Sequence, residues 1–399
     1  MPQRGDSIPY LVTFAAVKVS YIYYSVTRAL LGLLLVFGCS STTAPTTTGK
    51  GANLPLEKIR LPKGFSIEIF ADNLKGARSM TVGSKGTLFV GTRRTGYLFA
   101  VQDTDQDGRP DKKFTLASGL NMPNGVAFKD GDLYVAEVNR ILRFADIENR
   151  LKDDAPFEVL SDQFPKERHH GWKYIAFGPD DKLYVPVGAP CNICLSKDPL
   201  FATISRMNPD GSDQEIVAHG ARNSVGFDWD PTTGDLWFTD NGRDMLGDDL
   251  PADELNHVTQ AGQHFGYPFC HQGDLADPEF GNQRPCSDFV PPAQKLGPHV
   301  AALGMKFYRG RHFPENYRKL IFIAEHGSWN RSTPIGYRIT TVDPSATGKD
   351  RYQVFAEGWL DAKEGPWGRP VDLLEWRDGS FLLSDDFAGV IYRISYQPN

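Results

Sequence analysis

One phrase that recurs six times along the chain limits the folds that this sequence can adopt. Each copy has a short apolar run, a turn rich in Gly, Asp and Lys, and a second run of the form Leu-aromatic-apolar, as in residues 125–135 and 175–185. Two short β-type runs joined by a tight turn indicate a hairpin, and hairpins repeated at a spacing of about 40–50 residues are typical of propeller blades.

The six copies predict an all-β chain folded as a six-bladed β-propeller with four-stranded blades. The second runs begin at residues 88, 133, 183, 236, 320 and 381. The long interval after residue 236 requires an insertion between residues 240 and 300. An α/β fold is not supported, because no apolar pattern with a period of 3.6 extends over a useful length. A pair of β-sandwich domains is the alternative fold, although tandem sandwiches do not naturally repeat one phrase six times.

The amino-terminal segment differs in composition from the repeats and is predicted to lie outside the fold. A short apolar run behind Arg28 ends at Cys39, so residues 1–39 are predicted to be a signal peptide. The sequence Val36-Phe37-Gly38-Cys39 resembles a bacterial lipoprotein cleavage box, in which Cys39 is lipidated; a plain secretory signal is the alternative. Residues 1–25 are long for such a signal, which suggests a later start. Residues 40–54 are predicted to be a flexible tether and 55–399 the propeller domain.

Charge and cysteine usage agree with export. The net charge of -6 and the absence of a basic run argue against a nucleic-acid partner. Besides Cys39 there are four cysteines, and an even number in an exported chain favours the disulfides Cys191–Cys194 and Cys270–Cys286. A four-thiolate zinc site is the alternative, weakened by the wide spacing of the second pair. We expect a periplasmic protein that meets the membrane only through its lipid.

Several polar groups stand directly before or after the repeats. In a propeller, the loops that enter and leave the inner strands converge over the central channel, so groups far apart in sequence can meet there. The positions concerned are His169, Arg222, 240–244, 326–331 and Arg369. The stretch from Arg168 to Tyr267 holds most of them and is predicted to carry the centre of the site.

Short motifs in this chain, taken in order, resemble a known enzyme family. They are His169-His170-Gly171, Cys191-Asn192-Ile193-Cys194, Arg222-Asn223, Asp253-Glu254-Leu255-Asn256, Ala324-Glu325-His326-Gly327-Ser328-Trp329-Asn330-Arg331 and Gly368-Arg369-Pro370-Val371-Asp372. From about Leu54 to Ser395, the chain resembles the soluble aldose/glucose (L-sorbosone-type) dehydrogenases that depend on pyrroloquinoline quinone (PQQ). That family is a six-bladed propeller, which the repeat count predicts independently.

The resemblance implies an oxidoreductase that oxidises an aldose or related hydroxy-aldehyde by hydride transfer to calcium-bound PQQ. His169 matches the general base, with the adjacent His170 as the competing choice, and a neutral histidine suits that role near pH 7. Arg222 matches the residue that stabilises the reduced cofactor. The further cofactor contacts that the resemblance implies are Asn223, His326, Arg331 and Arg369. The chain departs from the family at Val371, where some members carry a second arginine, and lacks the family's cofactor lysine.

The resemblance also implies calcium ligands. The backbone carbonyls of Gly242 and Arg243 match the turn that binds the cofactor's calcium, although Arg243 stands where relatives often have proline. Glu254 and the carbonyl of Tyr267 match a second, structural calcium site. The loop at 103–111 independently follows a calcium-loop spacing, but Phe114 replaces the expected bidentate glutamate, so a polar turn is an equal alternative.

Two other functions are compatible with the sequence. One is a calcium-dependent propeller lactonase or hydrolase, and the other is a non-catalytic sugar-binding propeller. The dispersed Arg222, Arg331 and Arg369 favour the dehydrogenase, since a tricarboxylate cofactor needs cations and a lactone does not. The expected partners are a small sugar substrate and an electron acceptor such as a cytochrome or a quinone.

Overall fold

Each copy of the repeated phrase forms two antiparallel strands in the computed structural model, which describes residues 53–105 and 107–398. Four of the six second runs begin their strand at the predicted residue, and the other two strands begin one residue away, at Asp132 and Ile321. The predicted signal peptide, Cys39 and nearly all of the tether lie outside the described residues.

The described residues contain twenty-nine strands, labelled in chain order. They are β1 (Phe65–Ala71), β2 (Ala77–Val82), β3 (Leu88–Thr92), β4 (Leu98–Gln102), β5 (Lys112–Ala117), β6 (Gly125–Lys129), β7 (Asp132–Ala136), β8 (Ile141–Phe144), β9 (Glu158–Ser161), β10 (Ala176–Phe177), β11 (Leu183–Val187), β12 (Thr203–Met207), β13 (Glu215–His219), β14 (Gly226–Trp229), β15 (Leu236–Asp240), β16 (Ala252–Val258), β17 (Gln263–His264), β18 (Cys270–His271), β19 (Leu275–Ala276), β20 (Gln294–Pro298), β21 (Ala302–Phe307), β22 (Ile321–Glu325), β23 (Arg338–Val342), β24 (Tyr352–Glu357), β25 (Leu360–Asp361), β26 (Gly365–Pro366), β27 (Pro370–Glu375), β28 (Phe381–Asp385) and β29 (Val390–Tyr396). The only helices among the described residues are short 3₁₀ turns, at Leu56–Lys58, Ile147–Asn149, Cys286–Asp288, Glu315–Tyr317 and Gly348–Asp350.

The strands form six blades, which confirms the predicted six-bladed, all-β propeller. Blades one to five have the strand orders β2-β3-β4-β5, β6-β7-β8-β9, β10-β11-β12-β13, β14-β15-β16-β20 and β21-β22-β23-β24. Blade six has the order β1-β29-β28-β27, so the first strand of the chain pairs antiparallel with the last. This pairing joins the two ends of the fold and covers the edge of β29.

Burial is greatest in the second strand of each blade and lower in the outermost strand. Every residue of β3, β11, β15, β22 and β28 is buried, whereas β9, at the outer edge of blade two, has none. Between blades one and two, Phe89, Leu98, Val126 and Leu133 belong to one apolar cluster. The core therefore lies between the faces of neighbouring blades, and this packing fixes the inner strands whose loops carry the polar motifs.

The predicted insertion lies between β16 and β20 of blade four. Its strand β17 pairs in parallel with β13 of blade three, so the insertion links two blades. The predicted disulfides Cys191–Cys194 and Cys270–Cys286 are both formed, and the second one lies within the insertion. None of the helices in the described part of the chain has the length and apolar character needed to cross a membrane.

Candidate functional site

Loops at one end of the propeller enclose a cavity of about 340 Å³. Most of its lining residues come either from loops between the second and third strands of a blade or from connections between blades. Because neighbouring strands run antiparallel, these two kinds of loop leave a blade at the same end. The topology therefore brings together residues that are hundreds of positions apart in the sequence.

Positive charge dominates the wall of this central cavity. Two aspartates, Asp244 and Asp253, line it, together with five arginines. The arginines are Arg78, Arg93, Arg94, Arg222 and Arg369. Arg78 pairs with Asp386 at 2.9 Å, but Arg93, Arg94 and Arg369 form no ion pair with any carboxylate that the structure describes. The excess of guanidinium groups makes the cavity suited to an anionic ligand.

Arg93 is a partly buried arginine of the cavity wall that has no ion-pair partner among the described residues. Burial and the nearby charge of Arg78 lower the pKa of Arg93 to about 9. Its guanidinium carbon lies 3.4 Å from the ring centroid of Trp172, a cation–π contact. The Nε atom of Arg93, Nε1 of Trp172 and Oδ1 of Asn330 all belong to cavity-lining residues and are buried without a hydrogen-bond partner in the described structure. Buried polar atoms are normally paired, so these three atoms are available to a polar ligand in the cavity.

Of the two adjacent histidines, His170 lines the cavity and His169 does not. The His170 ring is buried, and its Nδ1 atom lies 2.9 Å from the carbonyl oxygen of Ala189. A carbonyl can only accept, so Nδ1 carries the proton and Nε2 has a free lone pair. Burial, followed by the charge of Arg222, lowers the pKa of His170 well below its usual value. His170 is therefore neutral near pH 7.

The exposed His169 has its ring centroid 4.1 Å from that of His170. The two rings are therefore in contact, although only the His170 ring lines the cavity; the backbone at His170 has a φ of 49°, in the left-handed region. Gly188 makes room for this arrangement, since a Cβ atom there would lie 2.6 Å from the Cβ of His170. This local geometry favours His170 over His169 as the base.

Arg222 and Asn223 both line the cavity, as expected from their position between blades. The buried carboxylate of Asp240 accepts hydrogen bonds from the backbone N–H groups of Arg222, at 2.7 Å, and Asn223, at 2.6 Å. Burial nevertheless raises the pKa of Asp240 to about 7. The last residue of β15 thus fixes the backbone that presents both side chains.

The predicted calcium turn at Gly242 and Arg243 is engaged in other contacts. Arg222 Nη1 donates to the carbonyl of Gly242 at 2.7 Å and to that of Asn241 at 3.1 Å. The Arg243 side chain points away and pairs with Asp277 at 2.5 Å. A guanidinium thus occupies oxygens that a cation would need, and a calcium ion fits this turn only if Arg222 releases them.

Glu254 and Tyr267, predicted to hold a second calcium ion, lie outside the cavity wall. Glu254 accepts hydrogen bonds from the backbone N–H of Gln272 at 2.6 Å and from Asn256 at 3.0 Å. Burial, followed by the charge of Asp240, raises the pKa of Glu254 to about 8. A nearby cation would relieve this cost, so the donor chemistry of Glu254 is compatible with calcium. The Tyr267 hydroxyl accepts from the backbone N–H of Cys194 at 3.0 Å, which ties this loop to the first disulfide.

The three predicted cofactor contacts from blades five and six are only partly brought together. His326 and Arg369 line the cavity, and Arg369 donates to the carbonyls of His326, at 3.0 Å, and Gly327, at 2.6 Å. His326 Nε2 lies 2.7 Å from Asp386, and burial lowers the pKa of His326 to about 4. Arg331 does not line the cavity, because it bonds the carbonyl oxygens of Asp248 and Thr333 instead.

Several residues of the cavity wall were not predicted from the sequence, above all Arg78, Arg93, Arg94 and Trp172. A usable signal existed for one pair, since Arg93-Arg94 directly follows β3, the second run of the first repeat. Arg78 lies within β2, and a residue within a strand is normally assigned to the core, so the sequence does not indicate that Arg78 lines a cavity. Val371, the position of a missing family arginine, is buried in an apolar cluster with Val225 and Leu303.

The loop at 103–111 contains a cluster of carboxylates. Oxygens of Asp103, Asp105 and Asp107 lie within 4.8 Å of one another. Asp111 accepts a hydrogen bond from the Thr104 backbone N–H at 2.9 Å, as in a closed polar turn. Calcium binding at this loop stays a prediction.

Comparisons with known proteins agree with the propeller. The family described as "Domain of unknown function (DUF7133)" matches residues 52–393. An uncharacterized protein of Borreliella burgdorferi is 36% identical over 353 residues, covering 85% of this chain and 91% of the relative. A pyrroloquinoline quinone-dependent sugar dehydrogenase of Hypocrea jecorina is 23% identical over 340 residues, covering 70% of this chain and 77% of that enzyme.

Two solved structures have closely similar folds. A calcium structure of a Trichoderma reesei carbohydrate-active enzyme of family AA12 has a TM-score of 0.75 and 21% identity, covering 85% of this chain and 97% of its own. The holo form of the PQQ domain of Coprinopsis cinerea pyranose dehydrogenase has a TM-score of 0.72 and 19% identity, covering 84% of this chain and 97% of its own. This chain therefore belongs to the DUF7133 family and has the fold of the PQQ-dependent sugar dehydrogenases.

Proposed function

We propose that this protein is a quinoprotein oxidoreductase that oxidises an aldose or a related hydroxy-aldehyde, with PQQ as the cofactor in the central cavity. One observation carries the proposal: among the described residues, five arginines but only two aspartates line the central cavity. PQQ bears three carboxylates, so its charge matches this excess. The fold shared with a holo PQQ domain supports the same cofactor.

The residues of the cavity fit a planar tricarboxylate. Arg93, Arg94 and Arg369 have guanidinium groups without carboxylate partners among the described residues, and arginine binds carboxylates with paired hydrogen bonds. Trp172 and Asn223 add an indole ring and an amide to the same wall. These residues would hold the cofactor, and the arginines would take the place of the absent family lysine and of the arginine replaced by Val371.

His170 is the group that we assign to proton transfer. Its Nε2 is unprotonated because Nδ1 donates to Ala189, and the residue lines the cavity. A substrate hydroxyl beside Nε2 would pass its proton to that atom. When bound, PQQ supplies the electrophilic carbonyl that accepts the hydride from the substrate carbon. The charge of Arg222 lowers the proton affinity of His170, so anionic ligands that offset this charge would make His170 a stronger base.

Calcium is part of the proposal, with the ligands that the sequence predicts. The carbonyl oxygens of Gly242 and Arg243 would hold one ion once Arg222 releases the Gly242 oxygen, and Glu254 with the Tyr267 carbonyl would hold a second ion. The calcium-containing fold relative supports this cofactor.

Location and electron acceptor follow from the amino end and from the chemistry. We propose that the protein is exported to the periplasm and anchored through lipid on Cys39. A two-electron oxidation there requires an acceptor, and a cytochrome or a quinone can serve.

The test measures PQQ affinity rather than turnover. The visible spectrum of PQQ is followed as purified protein is titrated in, for the wild type, Arg369→Gln and Arg60→Gln. Loss of one charge-assisted contact is expected to weaken binding by about tenfold to a hundredfold in Arg369→Gln. Arg60 is the matched control, because its side chain is 72% exposed and pairs with Glu357 on the surface. Absence of micromolar binding by the wild type would contradict the proposal and favour the lactonase or the sugar-binding propeller.

A further inference from the structure

Trp329 is an exposed aromatic side chain in the wall of the central cavity. It is 68% exposed, whereas Arg222 on the same wall is 3% exposed. Exposed tryptophans are uncommon away from binding sites, because an indole ring offers a large apolar face. Trp329 therefore marks the mouth of the cavity.

The turn that carries Trp329 is held rigidly. The backbone carbonyl of Ser328, the preceding residue, accepts a hydrogen bond from the Tyr337 hydroxyl at 2.5 Å. The backbone N–H of Ser328 donates to the carbonyl of Ile335 at 2.9 Å. Gly327 has a φ of 100°, and a Cβ atom there would lie 2.4 Å from the Tyr337 ring. A fixed backbone reduces the entropy lost when a ligand packs on the exposed ring.

Asn330, the next residue, offers an unused acceptor to the same cavity. Its Nδ2 donates to Asp244 at 3.0 Å, which fixes the orientation of the amide. Its Oδ1 is buried and has no hydrogen-bond partner in the described structure. A ligand hydroxyl is the natural donor for such an oxygen.

We propose that Trp329 and Asn330 form a platform for the ring form of a sugar. The indole would stack on the apolar face of a pyranose or furanose, and Asn330 Oδ1 would accept a hydrogen bond from a ring hydroxyl. The arginine-lined interior is left to the anionic cofactor, so this inference rests on the proposed function. It deepens that function by selecting cyclic hemiacetals over open-chain hydroxy-aldehydes.

The experiment compares Trp329→Ala, Trp329→Phe and Phe387→Ala in protein loaded with PQQ and calcium. Phe387 is the matched control, because it is 61% exposed and does not line the cavity. With a pyranose, Trp329→Ala is expected to raise KM by about tenfold and to change kcat little. Trp329→Phe should recover part of the loss. With a three-carbon hydroxy-aldehyde that forms no ring, all variants should match the wild type.

The two proposals fail in different ways. Equal KM values for the pyranose in the wild type and Trp329→Ala would refute the platform while leaving the dehydrogenase intact. If the wild type binds no PQQ, the proposed function fails, and sugar is then titrated into the cofactor-free protein while tryptophan fluorescence is followed. A response that is present in the wild type and Phe387→Ala but lost in Trp329→Ala would support the platform alone. No response, or an equal response in all three, would overturn it.

Discussion

Lys173, three residues after His170, is a buried lysine whose protonation is expected to change the folding stability of the protein. The side chain is 1% exposed, and its Nζ atom donates to the carbonyls of Val138, at 2.7 Å, and Gly171, at 3.0 Å. Burial lowers the pKa of Lys173 from 10.5 to about 7. These contacts hold the segment next to His170, so the charge state of Lys173 bears on the stability of the site.

The sign and size of the effect follow from proton linkage. Between pH 7 and 10.5 the unfolded chain binds a proton at Lys173 that the folded chain does not, so this residue makes folding stability rise with pH. The full difference corresponds to about 5 kcal/mol, and about 2 kcal/mol of it develops between pH 7 and 9. Other groups titrate in the same range, so the effect must be isolated by comparison with a variant.

Lys173→Met keeps the length of the side chain and removes the amine. Urea unfolding at several pH values gives the free energy of unfolding for the wild type and the variant. We expect the free energy of unfolding of the wild type to rise by about 2 kcal/mol relative to that of Lys173→Met between pH 7 and 9. Lys152→Met, at an exposed lysine, is the control and should give a constant difference. A constant difference for Lys173→Met would refute the reasoning and mean that the two carbonyls keep the ammonium charged.

Two further predictions concern the base and the disulfides. His170→Gln should lower kcat/KM by about 10²–10⁴-fold without loss of cofactor binding, whereas His169→Gln should lower kcat/KM by less than about threefold. Steady-state kinetics of both variants test this prediction. A larger loss of kcat/KM in His169→Gln than in His170→Gln would identify His169 as the base. Replacing Cys270 and Cys286 by serine opens a loop with a sequence separation of 16 and should lower the free energy of unfolding by about 3 kcal/mol. An equal free energy of unfolding for the wild type and the double-serine variant, measured with denaturant under oxidising conditions, would contradict the disulfide prediction.

The fold could be predicted because its signal repeats. Each blade must bury its inner strands between neighbours, so each copy of the phrase carries the same apolar runs, and β3, β11, β15 and β28 begin where the second runs do. The path of the insertion was not predictable. Its link to blade three is a parallel pair of only two residues, β17 with β13, and so short a pairing leaves no periodic pattern in the sequence.

The site could be predicted as a set of loops but not as a set of side chains. The sequence places His169 and His170 in one loop, but only the structure shows that the buried His170 lines the cavity and that the exposed His169 does not. Likewise, Arg331 lies in a cavity loop but bonds the backbone of Asp248. Arg93 was missed although it follows an inner strand, because no motif drew attention to it.

The most direct test of the central claim is a single spectroscopic titration. Purified protein is given one equivalent of PQQ with calcium, and the visible spectrum is followed while a pyranose is added without any electron acceptor. We predict stoichiometric binding, then bleaching of the cofactor by the sugar, and recovery of the spectrum when a dye acceptor is added. Binding without bleaching by any aldose, or no binding at all, would contradict it.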